Sequence, residues 1–132
     1  MNFVSIRIIT ADVRRLVSFY EQATGIQATW STEDFAEMKT RSCTLAIAHE
    51  RTMKLFAEGA ARPADNRSAI IEFRVEDVDA EFRRLAPAIG EAVQAPTTMP
   101  WGNRSLLFRD PDGNLVNFFT PVTEAARARA DG

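Results

Sequence analysis

Near the start of the chain apolar residues alternate with polar ones: Val4, Ile6 and Ile8 are separated by Ser5 and Arg7. The alternation returns at Ile71, Phe73 and Val75, set among Ile70, Glu72 and Arg74. A period of two over this length predicts a strand with one packed face. Each strand runs into an Asp-Val pair, Asp12-Val13 and Asp77-Val78, and there the period changes. Val13, Leu16, Val17 and Tyr20 fall on one face of a helix, with Asp12 placed to cap its start and Gly25 to close its end. In the second copy Val78, Phe82 and Leu85 repeat the helical spacing behind Asp77, and Pro87 is expected to stop the helix. Three short strands are predicted after each helix. The first set is Ile26 to Trp30, Phe35 to Lys39 and Thr44 to His49. The second is Glu91 to Ala95, Arg104 to Arg109 and Leu115 to Thr120, the last two joined by the turn Asp110-Pro111-Asp112-Gly113-Asn114.

The chain thus states strand, helix and three strands twice, at an offset of 65 residues. One such module is too small to bury its own sheet, so the two copies are expected to form one domain over residues 1–123. Module one spans 3–49, a linker 50–66, and module two 67–121. Residues 122–132 form an Ala/Arg-rich tail, read as a frayed helix with no assigned role. The fold class is α+β: two βαβββ modules related by a pseudo-twofold, forming a cupped mixed sheet with helices on the outside.

Composition narrows the function classes. The 132 residues carry 16 basic and 18 acidic side chains, a formal charge of -2, where a protein living on phosphate contacts would need a basic surplus. No apolar run approaches the roughly 18 residues that span a bilayer, and no signal-peptide pattern opens the chain. The single cysteine, Cys43, excludes an internal disulfide and any CxxC motif. These features lead us to expect a cytoplasmic protein that binds neither nucleic acid nor membrane.

The segment from Met99 to Pro121, with its Asp-Pro-Asp-Gly-Asn turn, strongly resembles the vicinal oxygen chelate superfamily of glyoxalases, extradiol dioxygenases and bleomycin-resistance proteins. Asp12 to Tyr20, closed by Gly25, is similar to that family's first helix, and the resemblance covers residues 3–121. It implies paired modules and a cupped sheet. In metal-dependent members two histidines and two glutamates, or a close variant, hold a divalent ion. The resemblance puts these positions at Ser5, Ile70 and Asn117, with the fourth near Ala46 to Ala48. Ser and Asn are weak neutral ligands and Ile and Ala are none, so neither a metal nor another cofactor is expected. His49, the only histidine, reads as a general base or lone ligand, or as an ordinary strand-closing residue beside Glu50 and Arg51, and the second reading is preferred. Cys43 reads in the same way as a structural thiol rather than a nucleophile. Asp110, Asp112 and Asn114 are too closely spaced, and lack the closing glutamate, for a calcium loop; a turn bonding its own backbone is preferred.

Strand parity places Ser5, Arg7, Ile70 and Glu72 on the cup side, and with them Leu115, Asn117 and Phe119. Trp101, on a loop, offers a flat apolar wall for a ligand or else anchors Pro100; Trp30 reads as core or as a dimer contact. These residues predict a pocket for a planar or amphipathic small molecule, with an Arg7–Glu72 ion pair on its floor. The expected function is sequestration without metal or catalysis, as in the bleomycin-resistance branch, by a homodimer. The alternative is a glyoxalase-like or dioxygenase-like enzyme using Glu72, His49 or Cys43 directly.

Overall fold

A computed structural model describes all of residues 1–132. The chain divides into two compact units, Met1–Asn66 and Arg67–Gly132. No helix is long and apolar enough to cross a membrane.

The first unit contains β1 (Ser5–Thr10), α1 (Val13–Thr24), β2 (Thr29–Thr32), β3 (Phe35–Lys39) and β4 (Thr44–His49). Its mixed sheet has the order β1-β4-β3-β2, with β1 parallel to β4 and the other pairs antiparallel. The Asp12 carboxylate accepts from the Arg15 amide, and Gly25 takes the left-handed conformation (φ 73°) that closes α1, its N–H donating to the Glu21 carbonyl. Strand β2 begins at Thr29 rather than Ile26. The helix end has already taken the intervening donors: the Ile26 amide donates to Thr24 Oγ1 and the Ala28 amide to the Glu21 carboxylate. Leu16, Val17 and Tyr20 of α1 are buried with Met38 and Ile47 of the sheet, on which the helix packs.

The second unit repeats the order: β5 (Ile70–Arg74), α2 (Val78–Ile89), β6 (Gln94–Thr98), β7 (Asn103–Arg109) and β8 (Leu115–Pro121). Its sheet order is β5-β8-β7-β6, with β5 parallel to β8. Asp77 caps α2 through the Ala80 amide. The helix does not stop at Pro87, which lies inside it, and it runs on to Ile89. Proline removes only its own N–H, and so close to the helix end few further bonds are at stake. Strand β6 also sits later than expected, at Gln94–Thr98. It carries Pro96 on the sheet edge, where the register with β7 shifts between Gln94 and Thr97, a place that tolerates a missing donor. Phe118 packs edge-on against Phe108 (centroids 5.0 Å apart) and Phe73 (5.6 Å) to form the core beneath α2.

The linker and the tail both contain definite structure. After β4 a short 3-10 helix spans Glu50–Leu55, capped by His49. The tail forms α3 (Glu124–Asp131), capped by Thr123 and docked through the buried Ala126; it is no frayed end. Its landing place is Gly102, between β6 and β7, at φ 91°, where an added Cβ would lie 2.1 Å from Thr123 Oγ1. Arg129 donates to the Trp101 carbonyl and Arg74 pairs with Asp131.

Candidate functional site

Register assigns each sheet its two faces. In the first unit Ile6, Leu45 and Met38 lie in one row, and Ile8, Ile47 and Ala36 in the next, all on the side of α1. The opposite face carries Ser5 beside Thr44, and Arg7 beside Ala46, with Glu37 on the far side of Ala46. In the second unit Val116, Phe118, Leu106 and Phe108 are buried under α2. Ile70 beside Leu115, Glu72 beside Asn117, and Arg74 beside Phe119 occupy the other face. Ser5 and Arg7 are therefore brought to the open face of the first sheet. Ile70, Glu72, Leu115, Asn117 and Phe119 share the open face of the second. Trp101 stands apart, 58% exposed in the turn between β6 and β7 and held through its carbonyl by Arg129.

Each open face has a distinctive polar contact. In the first unit the Arg7 guanidinium lies 5.0 Å from the Phe35 ring centroid and 5.3 Å from that of Phe56. In the second, Asn117 Nδ2 donates to Glu72 Oε2 at 2.8 Å. A carboxylate only accepts, so it fixes the amide orientation and turns Oδ1 away. That oxygen is buried and has no donor, in a residue only 9% exposed. Such an acceptor costs free energy unless an N–H or O–H reaches it. Strand parity puts Asn117 and Glu72 on one face without pairing them. The sequence expectation assigns Glu72 to Arg7, whereas Glu72 accepts from its cross-strand neighbour Asn117 and Arg7 meets aromatic rings. The Phe56 ring beside Arg7 was not legible, because it arrives from the linker.

The donor set does not suit a transition metal. Of the positions that the resemblance marks out, Ser5 and Ala46 to Ala48 lie in the first unit, and Ile70 and Asn117 in the second, where the Asn117 amide nitrogen is committed to Glu72. Nowhere do three His, Cys, Asp or Glu side chains gather in a geometry able to hold an ion. A divalent site needs about three deprotonated, converging ligands.

The other candidate groups have structural work. His49 Nδ1 accepts from the Arg51 amide, which caps the 3-10 helix and assigns the ring proton to Nε2 when the imidazole is neutral. Arg51 in turn makes a bidentate pair with Asp34 (2.6 and 2.7 Å), and this hydrogen bonding holds the Asp34 carboxyl below the usual aspartate range. Cys43 is half-buried, its thiol turned to the Thr44 carbonyl. Asp110 Oδ1 accepts from the amides of Asp112 and Asn114, and Oδ2 from the Asn114 side chain, so its oxygens serve the turn.

Two surface clefts lie on the helix sides, away from these open faces. One of about 450 Å³ separates α1 from β2, with Trp30, Arg14 and Glu33 in its walls. The other, about 610 Å³, surrounds the start of α2, where Arg104 already grips Asp79 with two bonds (2.8 and 3.0 Å). Trp30 thus lines a groove beside α1, 42% exposed. The open sheet faces carry the more distinctive chemistry.

The sequence profile of the Glyoxalase/Bleomycin resistance protein/Dioxygenase superfamily matches residues 2–118. The chain belongs to that superfamily. An uncharacterized protein of Bacillus subtilis (strain 168), YraH, is 25% identical over 131 residues, covering 90% of this chain and 98% of its own. A protein of unknown function from Agrobacterium tumefaciens (str. C58) superposes with a TM-score of 0.78 at 26% identity, covering 91% of this chain and 94% of that one. A glyoxalase/bleomycin resistance protein/dioxygenase family enzyme from Burkholderia phytofirmans PsJN gives 0.80 at 18% identity over 92% and 100% of the two chains, a likeness of fold.

Proposed function

We infer that this superfamily member is a small-molecule binding protein that holds a planar or amphipathic compound on its open sheet faces, without a metal and without altering the compound. What supports this reading is the donor set: the resemblance places the metal-ligand positions at Ser5, Ile70, Asn117 and near Ala46 to Ala48, none of which offers a histidine or a carboxylate. The same faces offer apolar surface with a few polar groups, the usual make-up of a ligand site. Ile70 is 47% exposed, and Leu115 and Phe119 flank the Glu72–Asn117 pair. Trp101 is proposed as an accessory wall. His49 and Cys43 are left without a chemical task by their structural roles.

Protein purified without chelator is expected to contain far less than one equivalent of zinc, nickel, iron or manganese, and to keep its melting temperature in EDTA. A screen of planar amphipathic compounds by thermal shift should yield ligands that raise the melting temperature. Those ligands should be recovered chemically intact after incubation. A stoichiometric metal, or turnover of a ligand, would favour the second reading, a glyoxalase-like or dioxygenase-like enzyme. That reading draws on the Glu72 carboxylate, exposed and oriented by Asn117, as a base.

A further inference from the structure

The geometry points to an organic anion site on the first unit: the Arg7 guanidinium is a fork for the carboxylate of a planar monocarboxylate whose apolar body rests on Phe56. This deepens the binding reading above and depends on it. Many of the arginines are committed elsewhere. Arg51, Arg62, Arg74, Arg84 and Arg104 meet carboxylates, and Arg109, Arg127 and Arg129 donate to carbonyls. Arg7 instead meets two aromatic rings. A ring attracts a guanidinium through the face of its plane, which leaves the N–H edge free for bidentate bonds to a carboxylate. The rings also restrain a long side chain in advance, so less freedom is lost when an anion arrives.

The surroundings specify the rest of the ligand. Phe56 is 67% exposed and Leu55 is exposed beside it, an apolar surface adjoining the charge. Phe56 is not a loose loop residue: its amide donates to the Met53 carbonyl, and the 3-10 helix before it is tied down by the His49 cap and the Arg51–Asp34 pair. Glu37 lies in the same cross-strand row as Arg7, two strands away, roughly 10 Å by strand spacing. Its charge disfavours a second negative group on the ligand, so a monoanion suits the site better than a phosphate ester.

The test titrates the intact protein with three probes of one ring system, 2-naphthoate, 2-naphthyl phosphate and 2-naphthylmethanol, followed by amide NMR. The expected result is that 2-naphthoate binds about tenfold more tightly than the alcohol and more tightly than the phosphate, shifting signals of β1 and of residues 53–57. Arg7→Gln should abolish the preference for the carboxylate while leaving the alcohol's affinity unchanged. Arg7→Lys, which keeps the charge and loses the fork, should remove most of it. A well-dispersed spectrum for both variants establishes that they are folded; should one fail to fold, the other carries the comparison. If the alcohol shifts the open faces but the carboxylate gains nothing, or its advantage survives Arg7→Gln, the anion site is refuted and the binding reading stands. If none of the three probes perturbs either open face at millimolar concentration, both readings fall.

Discussion

Asn117 illustrates how one side chain can be both well placed and under-satisfied. Its amide nitrogen is used by Glu72 and its carbonyl by nothing, at a buried position. Asn117→Leu removes the orphaned acceptor and leaves Glu72, an exposed residue, to water. We expect stability to be unchanged or raised by about 1 kcal/mol, read as a shift in the urea midpoint. Asn117→Asp should do the reverse, because two carboxylates at hydrogen-bond distance cannot both ionise cheaply. Protonation of that pair is favoured in the folded state, so the loss of roughly 1–3 kcal/mol at pH 7 should shrink as pH falls through the carboxylate range. An aspartate variant as stable as the parent at neutral pH would contradict the assigned contact.

Between elements, two ion pairs act as clasps. Arg51 ties the 3-10 helix to Asp34 at the head of β3, and Arg104 of β7 ties down Asp79 in the first turn of α2. Hydrogen bonds from the guanidinium hold both carboxyls below the ordinary aspartate range. A depressed folded-state pKa means stabilisation that is present above the unfolded value and lost as pH falls through the folded one. The contribution is therefore intact at neutral pH and disappears below about pH 4. Carboxyl-carbon NMR titration should give low midpoints for Asp34 and Asp79. Arg51→Gln should return the first to the ordinary range, and Arg104→Gln the second; added salt should weaken both effects, since the pairs are solvent-accessible. Unmoved midpoints in the two variants would mean that the clasps do not hold in solution.

At the scale of the whole molecule, the first strand is unusually bare. Phe3 and Val4 are exposed and Ile6 is 42% exposed, although Ile6 belongs to the apolar set that parity puts on the helix side. Strand β1 is also an edge of its sheet, and long apolar edges invite pairing with another chain. We propose that a second copy covers this region. Light scattering at micromolar concentration should then return twice the 14.7 kDa of one chain, and Ile6→Lys should reduce it to a single chain. A wild-type protein of one-chain mass would end this proposal.

What could be read along the chain is whatever depends on neighbours in sequence. The strand and helix periods, the caps at Asp12 and Asp77, the left-handed Gly25 and the Asp110–Asn114 turn are local, and parity alone separates Val116 and Phe118 from Asn117 and Phe119. That Ser5, Ile70 and Asn117 make poor metal ligands is legible for the same reason, since residue type is enough to judge a ligand. Tertiary structure decided what depends on partners distant in sequence. Pro87 stays inside α2, and β2 waits until α1 has satisfied the donors of Ile26 and Ala28. The tail becomes a helix because Gly102 leaves room for Thr123. Arg7 meets Phe35 within its own sheet, and acquires Phe56 only when a 3-10 helix capped by His49 brings it back to that sheet. Periodicity describes one element at a time; the packing of one element against another is carried by contacts that no local pattern encodes.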